Sequence, residues 1–213
     1  MLIGAMLLGA VGALVARHFY GWPIVPDEDS CPIERPGPAD VIMLGDSLVE
    51  GHCWKADHPE LVVLNRGRAA NTTTDVYNRL DELLVRHPKV IVLLVGANDI
   101  DRGWTVPEIA AEYRKVVAKL APVARLVLVT VPPCSHPNCS AEEKSRIVPL
   151  NREIARIAQA NNARLIDLYG AIATPDGEMP HALSFDGLHL NAAGYAKWNE
   201  LLAPVWPRPP SER

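Results

Sequence analysis

With 213 residues and 48% hydrophobic side chains, the chain has apolar material for one sizeable core and little for a second. Its 25 acidic against 21 basic residues leave a net charge of -4, which offers no cationic field to gather nucleic acid or an anionic membrane surface. Charges of both signs are interspersed and no tract is forced into disorder, so one compact body is expected.

The chain opens on MLIGAMLLGAVGALVA, which holds no charged side chain and would set a large apolar patch in water if left exposed. This run is shorter than the roughly 20 residues of a spanning helix, although His18, Phe19, Tyr20 and Trp22 extend it with an interfacial collar. Three fates stay open: a membrane anchor through residues 1–20, a signal peptide cleaved near Val11-Gly12-Ala13, or a buried helix. Residues 21–39 contain five prolines and several acids and read as an extended linker. The folded domain is expected over 40–206, with a short tail at 207–213. Arg17 alone argues for a cytoplasmic domain, whereas four cysteines argue for export, so the expected place is membrane-anchored or exported, on the periplasmic or extracellular side. Cys134 and Cys139 share the loop PPCSHPNC, where a local disulfide, free thiols and a metal site with His136 all remain open. Spacing does not decide whether Cys31 and Cys53 pair.

From residue 41 onward, short apolar runs alternate with helical periodicity. The runs at 41–44, 61–64, 90–95, 126–131 and 164–168 lack polar alternation, as strands covered on both faces do. Between the second and third, residues 71–86 carry Val76, Leu80, Leu83 and Leu84 on one stripe, behind capping hydroxyls at Thr72-Thr73-Thr74. Further helices are expected at 106–120, with Pro107 in its first turn, at 142–160, where Pro149 should kink or split it, and at 192–202. The order βαβαβαβαβα predicts an α/β fold: a three-layer α/β/α, doubly wound, parallel five-stranded sheet with its site beyond the carboxyl ends of the strands.

Polar clusters gather at those ends: Gly45-Asp46-Ser47, Asn65-Arg66-Gly67 and Gly96-Ala97-Asn98-Asp99. Ester hydrolysis needs a hydroxyl nucleophile, an imidazole base, a group to orient it and donors for the oxyanion. Ser47 stands where a strand turns into a helix, with its amide exposed. Asp186-Gly187-Leu188-His189 sets a carboxylate three residues from an imidazole, a spacing at which Asp186 reaches Nδ1 and leaves Nε2 for Ser47. Gly67 offers a backbone N–H without a side chain, and Asn98 an amide, so Ser47, Gly67 and Asn98 form the expected oxyanion hole.

These blocks, GDSL around Ser47, Asn65-x-Gly67, GAND at 96–99 and DGLHLNAAGY at 186–195, resemble those of the SGNH, or GDSL-type, serine hydrolase superfamily, in the same order and over residues 40–204. The resemblance implies a flavodoxin-like fold, a Ser47-His189-Asp186 triad and no cofactor. Ala70 and Ala97 depart from the usual spellings, Ala70 replacing a glycine. NRGRAANTT through KVIVLLVGANDI is most similar to platelet-activating-factor-acetylhydrolase-like and carbohydrate-acetylesterase members. That implies a small ester substrate, such as an acetyl group on a glycan, a short acyl ester or a lysophospholipid ester.

Taken singly, each residue has a plainer reading: Gly-Asp-Ser as a turn, His189 as a satisfied loop histidine, Asp186 as a cap, and Asn98 and Asp99 as turn formers. His52 and Cys53 are read as surface or pocket lining, and Trp54 and Trp104 as core or an aromatic wall. An acyltransferase using the same triad and an inactive tethered glycan-binding protein are the alternatives to hydrolysis. Oligomeric state has no signature in the sequence.

Overall fold

The computed structural model describes Cys31 and residues 35–207. Its elements run β1 (Val41–Gly45), α1 (Ser47–Glu50), α2 (Trp54–Asp57), β2 (Val63–Gly67), α3 (Thr73–Asn78), α4 (Leu80–Leu84) and β3 (Val90–Leu94). Then follow α5 (Ala97–Asp101), α6 (Val106–Leu120), β4 (Arg125–Val129), α7 (Ala141–Ala160), β5 (Arg164–Ile166), α8 (Leu168–Ile172) and α9 (Ala192–Leu202). The five strands form one parallel sheet in the order β2-β1-β3-β4-β5, the flavodoxin-like arrangement expected. Its direction of winding reverses between β1 and β3, and ligands of such sheets bind beyond the strand ends at that switch point. Ser47 follows β1 and Asn98 follows β3, one on each side of it.

Strand alternation divides the core in two. Ile42, Leu44, Leu64, Ile91, Leu93, Leu126 and Leu128 pack under α3, α4, α6 and α7. Val41, Met43, Val63, Val92, Leu94, Val127 and Val129 pack under α1, α2, α8 and α9. β1 and β3 are buried along their whole length, which explains their unbroken apolar runs. Each fully buried Leu, Ile or Val contributes about 1.5–3 kcal/mol of transfer free energy.

Where the structure departs from the expected boundaries, polar chemistry is the reason. The second strand spans 63–67 instead of 61–64, because Asn65, Arg66 and Gly67 pair with Met43, Leu44 and Gly45 although only half buried. The helix expected at 71–86 breaks at Arg79, whose φ of -111° and ψ of 9° end α3 and begin α4. Pro149 does not split α7, which runs unbroken through it. The ring lies on the exposed side, so the carbonyl it strips of a partner can be solvated, while Ile147, Leu150, Ile154 and Ile157 hold the buried stripe. Beyond the expected helices, short ones follow β1, β3 and β5 directly.

The expected anchor at 1–20, most of the linker at 21–39 and all of the tail but Pro207 lie outside the described residues. Cys31 is bonded to Cys53 with 5.7 Å between their Cα atoms, and Arg86 donates to the carbonyls of Arg35 and Gly37, so the end of the linker lies against the domain. Among the described residues, no helix is long and apolar enough to cross a membrane.

Candidate active site

β1 hands the chain to α1 through Asp46, whose carboxylate accepts the Leu48 amide at 3.0 Å and caps the helix. Ser47 is therefore the first helical residue, a position whose amide has no intrahelical acceptor. Its Oγ lies 3.1 Å from Nε2 of His189. The other ring nitrogen, Nδ1, lies 2.7 Å from Oδ2 of Asp186.

The turn that presents this imidazole is locally built. Oδ1 of Asp186 accepts the amides of Leu188 at 2.9 Å and His189 at 2.7 Å, so one carboxylate fixes both ring and backbone. Gly187 takes φ +84°, a region that favours glycine. Ser184 donates to the His189 carbonyl at 2.7 Å and accepts the Gly187 amide at 2.9 Å, closing the turn from inside. Burial would raise the Asp186 carboxyl, but the His189 ring and the two amides outweigh it and hold it below the usual carboxylate range. A carboxylate that stays ionised keeps Nδ1–H facing it and leaves Nε2 to accept from Ser47.

Residues 43–197 match the GDSL-like lipase/acylhydrolase family. The chain belongs to that family. It is 30% identical over 188 residues to the platelet-activating factor acetylhydrolase IB subunit alpha2 of Gallus gallus, covering 82% of this chain and 80% of that protein. An acetylxylan esterase of Geobacillus stearothermophilus is 24% identical over 155 residues, 66% of this chain and 71% of that one. Two solved structures share the fold. A GDSL-like lipase of Bacteroides thetaiotaomicron superposes with a TM-score of 0.68 at 20% identity, over 82% of this chain and 90% of its own. The acetylxylan esterase Axe2 of Geobacillus stearothermophilus gives 0.65 at 20% identity, over 83% and 99%. The chain is accordingly an acylhydrolase with esterase relatives.

The other expected site residues of this GDSL-like acylhydrolase sit at the same rim, each already engaged. Gly67 ends β2, and its N–H donates to Oδ1 of Asn65 at 2.8 Å. A Cβ on Gly67 would come within 2.1 Å of the Glu50 nitrogen, so glycine is also what lets α1 lie on β2. Asn98 donates through Nδ2 to the Asn71 carbonyl at 3.0 Å. It lines a cavity of about 240 Å³ whose apolar wall includes Leu48, Val131, Leu188 and the Cys134–Cys139 disulfide. Leu48 and Leu188 adjoin Ser47 and His189, so the cavity opens beside the reacting atoms.

Several supporting residues do more, or other, than their sequence readings gave them. Asn65 donates to the carbonyls of Val49, Glu50 and His52, tying off the end of α1. Both carboxylate oxygens of Asp99 accept the Thr73 amide at the start of α3, at 3.1 and 3.0 Å, so this residue is more than a turn former. The Cys134–Cys139 bond engages both sulfurs that the metal alternative required. Its loop reaches the imidazole turn: the Ser135 amide donates to the Gly187 carbonyl at 2.7 Å, and Asn138 donates to that of Asp186 at 3.0 Å. Trp54 is core, donating to the Val49 carbonyl, and Trp104 packs on the opposite core. His52 stacks on Tyr195 with centroids 4.6 Å apart and bonds Asp57, and it does not line the cavity beside Ser47.

Proposed function

We propose that this acylhydrolase cleaves a small carboxylic ester through an acyl-serine intermediate. The observation that carries the reading is the contact chain Ser47 Oγ to His189 Nε2 at 3.1 Å and His189 Nδ1 to Asp186 Oδ2 at 2.7 Å. His189 takes the proton as Ser47 Oγ attacks the carbonyl carbon, and Asp186 stabilises the imidazolium that results. The same proton then goes to the departing alcohol. Water, deprotonated by His189, attacks the acyl-serine and releases the acid. The Ser47 amide, the Gly67 amide and Asn98 Nδ2 take the negative charge of the tetrahedral oxygen, Gly67 sharing its hydrogen between Asn65 and the substrate.

The acyl group is a short one. Supporting this are the modest apolar cavity next to Asn98 and the acetyl esters in the names of the platelet-activating factor acetylhydrolase and acetylxylan esterase relatives. An acetyl group on a glycan and a short-acyl lipid ester both fit that description. Ser47→Ala and His189→Ala enzymes should each lose about 10⁴-fold or more in kcat on p-nitrophenyl acetate. Turnover at the wild-type rate by either variant sinks the reading. Running the same assay with glycan acceptors measures how the acyl group partitions, and acylated sugar in place of free acid would make the enzyme a transferase.

The two disulfides, of a kind that persists in oxidising compartments, support a domain outside the cytoplasm. Residues 1–20 supply the apolar tether that holds it at a membrane surface.

A further inference from the structure

Arg79 stands at the break between α3 and α4, 7% exposed, and its guanidinium points inward under the rim of the sheet. One nitrogen, Nη2, donates to the Gly45 carbonyl at 3.0 Å and to the Arg66 carbonyl at 2.8 Å. Another, Nε, donates to Oδ1 of Asn71 at 2.9 Å. Each acceptor leads to a different part of the site. Gly45 ends β1 and lies two residues before Ser47. The Arg66 carbonyl belongs to the same peptide group as the Gly67 N–H. The Asn71 carbonyl receives Nδ2 of Asn98 at 3.0 Å. One buried cation thus touches the two segments that present the Ser47 and Gly67 amides and reaches Asn98 through Asn71.

We propose that Arg79 is a positioning residue that locks the Ser47, Gly67 and Asn98 donors into one geometry and polarises the Arg66–Gly67 peptide toward the substrate oxygen. The inference rests on the oxyanion reading above. A charged donor on a carbonyl draws electron density from the amide, so the N–H at its other end becomes a stronger donor, and low local dielectric strengthens both bonds. The guanidinium fork suits this task because it reaches acceptors in separate directions from one rigid plane, whereas an ammonium is a single point charge. Burial draws the Arg79 pKa down to about 10, so the charge persists at neutral pH. Asn71 is held between the two, its side-chain oxygen facing Nε of Arg79 and its main-chain oxygen facing Asn98.

The test is a kinetic cycle on the full chain, with p-nitrophenyl acetate as substrate. Arg79→Lys should lower kcat by about ten- to a hundred-fold with KM within about two-fold, less than the loss of a donor outright. In an Asn98→Ala background the same change should cost less than in the wild type, because one of the three positioned donors is gone, while the Ser47 and Gly67 donors still depend on Arg79. Asn71→Ala, at a half-exposed site, provides a variant that folds even if Arg79→Lys does not, and should lower kcat about five-fold. The proposal is overturned if Arg79→Lys keeps wild-type kcat while Asn98→Ala is crippled. It is equally overturned if the two losses multiply in the double variant, or if Asn71→Ala is unimpaired. Asn98→Ala with wild-type kcat would remove the oxyanion reading itself and this inference with it.

Discussion

Asp46 meets two demands that pull in opposite directions. Its Oδ1 caps α1 behind Ser47, yet the side chain is 1% exposed and Oδ2 has no partner among the described residues. Burial raises its pKa from 3.8 to about 7, against the opposing pulls of the Leu48 amide and of His189. The native state therefore favours the protonated acid more than the unfolded chain does. Its contribution is fully present below the unfolded value of 3.8 and is lost as pH rises through about 7. Asp46→Asn keeps an oxygen for the cap and cannot ionise. The stability of Asp46→Asn relative to wild type should thus climb across that window and level off above it, as denaturant midpoints at a series of pH values would record. Parallel stability curves for the two proteins would refute it. Gly67 shows the other residue-scale lesson. The sequence marks it as an unobstructed donor, but the structure gives it a second duty as the place where α1 rests on β2.

At the scale of elements, the site is assembled from segments that each solve a local problem. The Asp186–His189 turn satisfies its own amides, α1 is capped by Asp46, and α3 is capped by Thr72, with Asp99 from another strand end holding the Thr73 amide. The loop closed by Cys134 and Cys139 then fastens the imidazole turn from outside through Ser135 and Asn138. A bridge across so short a loop contributes about 2 kcal/mol in the chain-entropy account. Replacing both cysteines with serine should lower the unfolding free energy by about that amount. It should also reduce kcat/KM on p-nitrophenyl butyrate, since the cavity wall and the brace on Asp186 loosen together. An unchanged kcat/KM in the doubly substituted enzyme would show that the loop braces nothing.

For the whole molecule, two cores on one sheet make a rigid platform, and the switch point between β1 and β3 gathers Ser47 and Asn98 on its rim. The Cys31–Cys53 bond fastens Cys31 to the residue that precedes α2. Full-length protein should sediment with membranes and be released by detergent but not by high salt, while protein lacking residues 1–20 should stay in the soluble fraction with unchanged kcat. Full-length protein that remains soluble would refute the tether.

The sequence by itself determined the class of fold and nominated the candidates for the site. Short unbroken apolar runs bounded by turn residues and alternating with helical periodicity read as strands covered on both faces, and the polar blocks between them fall where strands end, so Ser47, Gly67, Asn98 and the Asp186–His189 pair stand out as short local signals. What the tertiary structure decided is how those groups are satisfied and braced. The Cys31–Cys53 pairing and the reach of Arg79 to β1 and β2 join distant stretches of chain. Hydrogen bonds of that kind leave no periodicity. A buried arginine at a helix break looks in sequence like one more solvated charge, and only folding shows that its acceptors lie inside.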